Sequence, residues 1–238
     1  MQHKNRKMRV KLIVLFLILI GFQLKSQNID RIAFQICDSI KTIPKKSEDT
    51  LKIIKEQIEI QNAIILKTNI LAELAKGNVK NNINVFNYKL TRELNKNCPD
   101  YKIENSVLLG NTGILDIESL FSKSELDSIN NLVIRLRKRK SIGLLIITVD
   151  DLYPYNNISE YAENKGNSWH IGSRQEKGGL LLVFSKSLRK VRISTSNISQ
   201  NYLTDEESQR IIDKVLLPEF KQGKYFDAVV KFITELEK

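Results

Sequence analysis

The stretch Ile142-Gly143-Leu144-Leu145-Ile146-Ile147-Thr148-Val149 decides the fold of this chain. It has the length of a strand and no alternation of polar and apolar residues, the pattern of a strand covered on both faces. A second run of the same kind, Leu180 to Ser185, follows Gly178-Gly179. After a Lys186-Ser187-Leu188 link, Arg189 to Thr195 alternates as a hairpin partner does. Upstream, Ser122-Lys123-Ser124-Glu125 is a capping box. It opens a helix with Leu126, Ile129, Leu132, Val133 and Leu136 on one face and Arg135 to Lys140 at its negative end. A shorter helix is expected from Ser159 to about Trp169. Downstream, Thr204 to Glu207 reads as a second capping box; Ile211, Ile212, Val215 and Leu216 follow, Pro218 is expected to interrupt, and Phe226 to Leu236 forms a last amphipathic helix. Helix, strand, helix, strand, strand, helix, helix is the order of an α/β sandwich with helices on both faces of a sheet.

The composition differs before about Leu108. From Asn28 to about Asp100 apolar residues recur at helical spacing: Ile29, Ile32, Ala33, Ile36 and Ile40, then Leu51, Ile54, Ile58 and Ile65, then Phe86, Leu90 and Leu94. Ser47 suits the start of the second helix, Gly77 its end, and Pro99 stops the third. A small all-α helical domain over 27–102 is expected, its stripes serving as core. Cys37 and Cys98, the chain's two cysteines, both fall in it. Without CxxC spacing they make a poor metal or redox pair, and one disulfide, worth about 2–4 kcal/mol, is expected in an oxidising compartment.

That compartment is read from the start of the chain. Residues 1–26 combine a basic start, an apolar run from Leu12 to Phe22 and a small residue, Ser26, which are the three parts of a secretory signal. The run is about half of the ~20 residues a membrane-spanning helix needs. Cleavage after Ser26 and a periplasmic or secreted mature protein are expected, with an uncleaved amino-terminal anchor as the alternative. The same segment explains much of the formal charge of +11: it holds Lys4, Arg6, Lys7, Arg9, Lys11, Lys25 and no acid, and taking those from 38 cations leaves 32 against 27 acids. The remaining charges are interspersed, so nucleic acid is not expected as a partner.

The segment from about 108 to 238 resembles the TPM domain of thylakoid-lumen and bacterial envelope proteins. The matching residues are Asp116, Leu120 to Ser122, Glu125, Thr148-Val149, Ser159 to Ala162, Trp169 to Gly172, Gly179 to Leu182, Arg189 to Ile193, Leu203 to Asp205, Arg210 to Ile212, Pro218 to Phe220 and Gly223 to Tyr225. The resemblance implies a three-layer α/β/α sandwich with a mixed sheet, a place in the cell envelope, and a divalent-ion site, often calcium, built from loop acids. Some members of that family are assigned weak acid-phosphatase activity; others act in the assembly or maintenance of membrane complexes.

Two departures bear on the site. Where the family usually has Asp-Asn-Gly before the second long strand, this chain has Lys177-Gly178-Gly179; where it has a Gly-rich loop with a Glu, this chain has Ser196-Asn197-Ile198-Ser199-Gln200-Asn201. The loop must then take a path without glycine. Asp116 and Asp205, which match the family's acids, with Glu176 next to the lost acid and Glu206 beside Asp205, are the expected metal ligands of a weakened Ca2+ site. Three of these acids also have a plainer role, Asp205 and Glu206 as first-turn acids of a helix and Asp116 as a turn former before the first helix.

The expected function is that of an exported, non-catalytic or weakly active module that binds an envelope or membrane-complex protein. The alternative is a weak metal-assisted phosphomonoesterase with Asp116 or Asp205 as ion ligand or base and Arg189 or Arg192 facing phosphate. No catalytic residue is assigned. His170, which stands where the family usually has glycine, is the one histidine after the leader, so a multi-histidine metal set is excluded.

Overall fold

The computed structural model describes residues 113–175 and 177–238, helix α1 (Val79–Asn97), and Ala33, Phe34, Cys37 and Asp38. The chain divides into two compact units, residues 1–105 and 106–238. In the first, Ala33 of the first apolar stripe and Cys37, one turn later, are helical and buried, whereas Phe34 is exposed. Helix α1 contains the expected third stripe and buries Asn84, Tyr88 and Leu94. Cys37 Sγ lies 3.1 Å from the carbonyl oxygen of Asn97. Cys98, and the helix expected between Ser47 and Gly77, lie outside the described residues.

The second unit runs β1 (Ile114–Asp116), α2 (Lys123–Lys140), β2 (Gly143–Thr148), α3 (Ile158–Ser168), β3 (Gly179–Ser185), β4 (Lys190–Thr195), α4 (Asp205–Ile211), α5 (Leu217–Lys221) and α6 (Tyr225–Glu237). Among the described residues the strands form one sheet in the order β1-β2-β3-β4, parallel except for the antiparallel β3–β4 pair. The sequence did not announce β1, because three residues show no period. Asp116 is the last residue of this strand and is buried, and it forms the turn before the first helix from there.

Side chains alternate across a strand, so each continuous apolar run feeds two cores. Leu144, Ile146, Leu180, Leu182 and Phe184 pack with Leu126, Ile129, Val133 and Leu136 of α2 and with Ala228, Val229, Phe232 and Ile233 of α6. Leu145, Ile147, Leu181 and Val183, also buried, point the other way, where α3 lies on β3 and β4 with Tyr161 and Ala162 inward. The result is a three-layer α/β/α sandwich with a mixed sheet. Truncating any of these core residues to Ala is expected to cost about 2–5 kcal/mol.

The capping box at Ser122 is complete: its hydroxyl accepts from the Glu125 amide, and the Glu125 carboxylate accepts from the Ser122 amide at 2.7 Å. At Thr204 the hydroxyl accepts from the Glu207 amide, while the Glu207 carboxylate binds Arg210 at 2.7 and 2.9 Å. Pro218 does not break the chain's course. Helix α4 passes through a π-helical segment, Ile212–Leu216, into α5, with Pro218 in the first turn of α5. A proline lacks the N–H of the regular ladder and its ring crowds the carbonyl four residues back; the wider π turn relieves both. No helix among the described residues is long and apolar enough to cross a membrane.

Candidate functional site

The register of the sheet separates the expected ligands. Asp116 pairs with Thr148, and Thr148 with Phe184, so all three lie in one row at the carboxyl end of the parallel strands. Its carboxylate faces inward. Oδ1 accepts from the Leu120 amide at 3.1 Å and the Thr148 hydroxyl at 2.7 Å, and Oδ2 from the Phe121 amide at 3.0 Å. Thr148 Oγ1 in turn accepts from the Glu118 amide at 3.0 Å. Asp116 thus shapes the turn 117–121, in which Ser119 takes a left-handed backbone with φ 56°. Burial pushes its carboxyl above the usual range, outweighing the three donors that favour the anion.

The other end of β3 opens into a cleft of about 710 Å³. One wall is α3 and the turn after it, with Ser159, Glu163, Asn167 and His170; the other is β4 and the following loop, with Arg192, Ser194 and Ser196; Asp205 also lines it. Gly179, on this rim, and Phe184, in the Asp116 row, are five residues apart on β3, about 17 Å at ~3.3 Å per residue. Asp116 and Asp205, expected as ligands of one ion site, are therefore not brought together: Asp205 lines the cleft and Asp116 does not. Glu206 follows Asp205 in the first turn of α4; both are exposed, and Glu206 is held below its ordinary value by its own amide and the Thr204 hydroxyl. Glu176 lies outside the described residues. Among the described residues no group of three or more His, Cys, Asp or Glu stands placed to hold a metal ion. The two candidate arginines also part: Arg192 lines the cleft, whereas Arg189 sits in the β3–β4 turn at the opposite end.

The loop 196–201 makes the cleft's character. It contains no left-handed residue and turns instead through a 3-10 segment, Ser199–Asn201. Its serines tie it to the strand below. Ser196 Oγ accepts from the Gly179 amide at 3.0 Å and shares a hydrogen bond with Ser199 Oγ, also at 3.0 Å. The buried Ser199 hydroxyl reaches the carbonyls of Lys177 at 2.9 Å and Gly179 at 3.0 Å, and Tyr202 OH donates to the Lys177 carbonyl with Ser199 Oγ 3.0 Å away. Gly178, with φ 73°, lies so close beneath that a Cβ would meet Ser196 Oγ at 2.2 Å. This closed network leaves Ile198 facing outward at 53% exposure, beside Tyr202 at 38%. His170 has φ 50°, a left-handed conformation that glycine adopts freely and histidine tolerates better than most residues.

The α3 wall was missed from the sequence. Its only signal is that Glu163, Asn167 and His170 recur at helical spacing as a polar stripe.

A family model, that of the TPM domain, matches residues 114–238. The chain belongs to the TPM domain family. Among solved structures it is similar to the solution NMR structure of the N-terminal domain of a protein from P. gingivalis, with 21% identity, a TM-score of 0.49, and coverage of 54% of this chain and 83% of that one. No curated protein matches it. The cleft of this TPM domain is lined by Gly178 and Gly179 and by Ser196, Asn197, Ile198 and Gln200 of the following loop.

Proposed function

We propose that this chain is an exported TPM-domain protein whose cleft binds another protein of the cell envelope without catalysis. The observation that carries this reading is the loop over the cleft, closed on itself by Ser196, Ser199 and Tyr202 and presenting Ile198 outward. An ion pocket needs open carboxylates, and hard cations take six to eight oxygens. Among the described residues the acids on the walls are Glu163 and Asp205, and the loop offers hydroxyls already engaged. A rigid rim with an outward isoleucine and tyrosine beside a polar groove has instead the anatomy of a protein contact.

A photo-crosslinking residue at position 198, with the same residue at exposed Asp213 as control, tests the reading in the native envelope. One discrete adduct, lost on Tyr202→Ala, supports it; equal labelling from both positions removes it. A second reading, weak phosphomonoester hydrolysis, draws on Asp205, Arg192 and His170 sharing the cleft. Phosphate release that needs a divalent ion and disappears in Asp205→Ala would put it first. The export reading further expects Gln27 as the mature amino terminus, and the Cys37–Cys98 pairing expects no titratable thiol before reduction.

A further inference from the structure

The opposite end of the β3–β4 hairpin carries a feature that the cleft does not use. Between residues 177 and 204 the charged residues are Lys177, Lys186, Arg189, Lys190 and Arg192, with no acid. Lys186, Arg189 and Lys190 gather at the hairpin tip, where every residue from 186 to 190 is exposed. Among these cations Leu188 holds its side chain outward at 38% exposure.

The tip is ordered from below. The Glu118 carboxylate accepts from the amides of Lys186 at 2.7 Å and Ser187 at 2.9 Å, so this acid is turned onto the backbone. Ser185 Oγ accepts from the Leu188 amide at 3.0 Å, and Arg189 closes the turn with φ 53°. Lys186 Nζ stands 6.0 Å from the Tyr225 ring centre, and that ring stacks on Phe184 at 6.1 Å. A turn whose only task is to reverse the chain in water needs neither an outward leucine nor a ring of cations around it.

We propose that this tip docks on an anionic phospholipid surface, Leu188 entering the headgroup layer while Lys186, Arg189 and Lys190 pair with lipid phosphates. An apolar apex ringed by cations is the chemistry of interfacial binding. The tip offers no exposed aromatic ring to stack a base, as single-stranded nucleic acid binding uses. The geometry also suits the cleft: β3 is seven residues long, so a molecule standing on the tip holds the Gly179 rim about 20 Å from the bilayer.

Because residues 1–26 are themselves basic and apolar, the readout must be local to the tip. In the full chain, Leu188→Trp places an indole at the apex, with Trp169, the chain's single tryptophan, as internal reference. Vesicles containing phosphatidylglycerol are expected to blue-shift the added emission, and brominated acyl chains to quench it, whereas phosphatidylcholine vesicles leave it unchanged. Each cation removed should weaken this signal about fivefold, so adding Lys186→Gln, Arg189→Gln and Lys190→Gln should lower it on the order of a hundredfold. Ile198→Trp, at the other end, should stay unquenched. The proposal is overturned if the indole at 188 is not quenched, if quenching survives loss of the three cations or occurs equally at 198, or if a DNA oligonucleotide shifts the emission where vesicles do not.

Discussion

Asp116→Ala tests whether this aspartate is a structural keystone. The substitution leaves the amides of Leu120 and Phe121 and the Thr148 hydroxyl without the acceptor they share, in a place where Asp116 is 1% and Thr148 0% exposed. A buried donor deprived of its partner costs about 1–3 kcal/mol. Allowing the turn 117–121 to relax, the loss should come to about 3–5 kcal/mol. Trp169, half-buried in the TPM unit and the single tryptophan of the chain, reports its unfolding in urea. With a slope of about 1–3 kcal/mol/M, the midpoint should fall by about 2 M. Thr148→Val removes one of the same bonds, so its cost and that of Asp116→Ala should fall short of additivity in the double variant. A midpoint shift below about 0.3 M, or full additivity, would refute this account and return Asp116 to the list of available ligands.

The same residue sets a pH dependence. Its folded pKa is raised above the ordinary 3.8 by burial, so the stability it contributes is fully present below that value and is lost as pH rises through the raised one. The gap between the wild type and Asp116→Asn should therefore be wider at pH 3 than at pH 7 by urea titration. Lys165 has the opposite sign: desolvation lowers its pKa from 10.5 to about 8, against the pull of the Tyr155, Tyr161 and Trp169 rings at 5.6, 5.7 and 5.3 Å. The wild type should gain stability relative to Lys165→Met as pH rises from about 8 toward 10.5, measured by thermal melting. Gly172→Ala would put a Cβ 2.2 Å from the Gly179 Cα at φ +77°; a loss of about 3 kcal/mol or insoluble protein is expected. Ser199→Ala should cost about 1–2 kcal/mol and speed amide exchange at Gly179 and Ser196, without moving exchange in α6.

Much of the fold was legible because its signals are local. Two continuous apolar runs, a complete capping box at Ser122 and an alternating partner strand require only neighbouring residues to agree, and they place β2, β3, β4 and α2 within a residue or two. Helices α3 and α6 follow from the same kind of periodicity. What escaped had no local signature. β1 is three residues whose strand character comes from pairing with β2 across more than thirty positions of chain. Pro218 reads as a stop, but a π segment absorbs it because the residues on either side still bury their apolar face.

The candidate site was less legible. That the loop after β4 holds no glycine and no acid could be read directly, and so could its need for a path without glycine. Where that path leads, to a hydroxyl network with Ile198 outside, depends on Gly179 and Lys177 lying beneath it.

By itself the sequence determined the layers, since these are matters of residue type and period, and its ordered motifs carried the resemblance to the family. Only the tertiary structure decided which residues meet. Strand register put Asp116 in a buried row with Thr148 and Phe184, apart from the cleft that Asp205 lines, because distance across a sheet is set by pairing and not by the order of residues in the chain. It likewise turned one acid inward as a structural acceptor and another, Glu118, into the clamp of a basic hairpin.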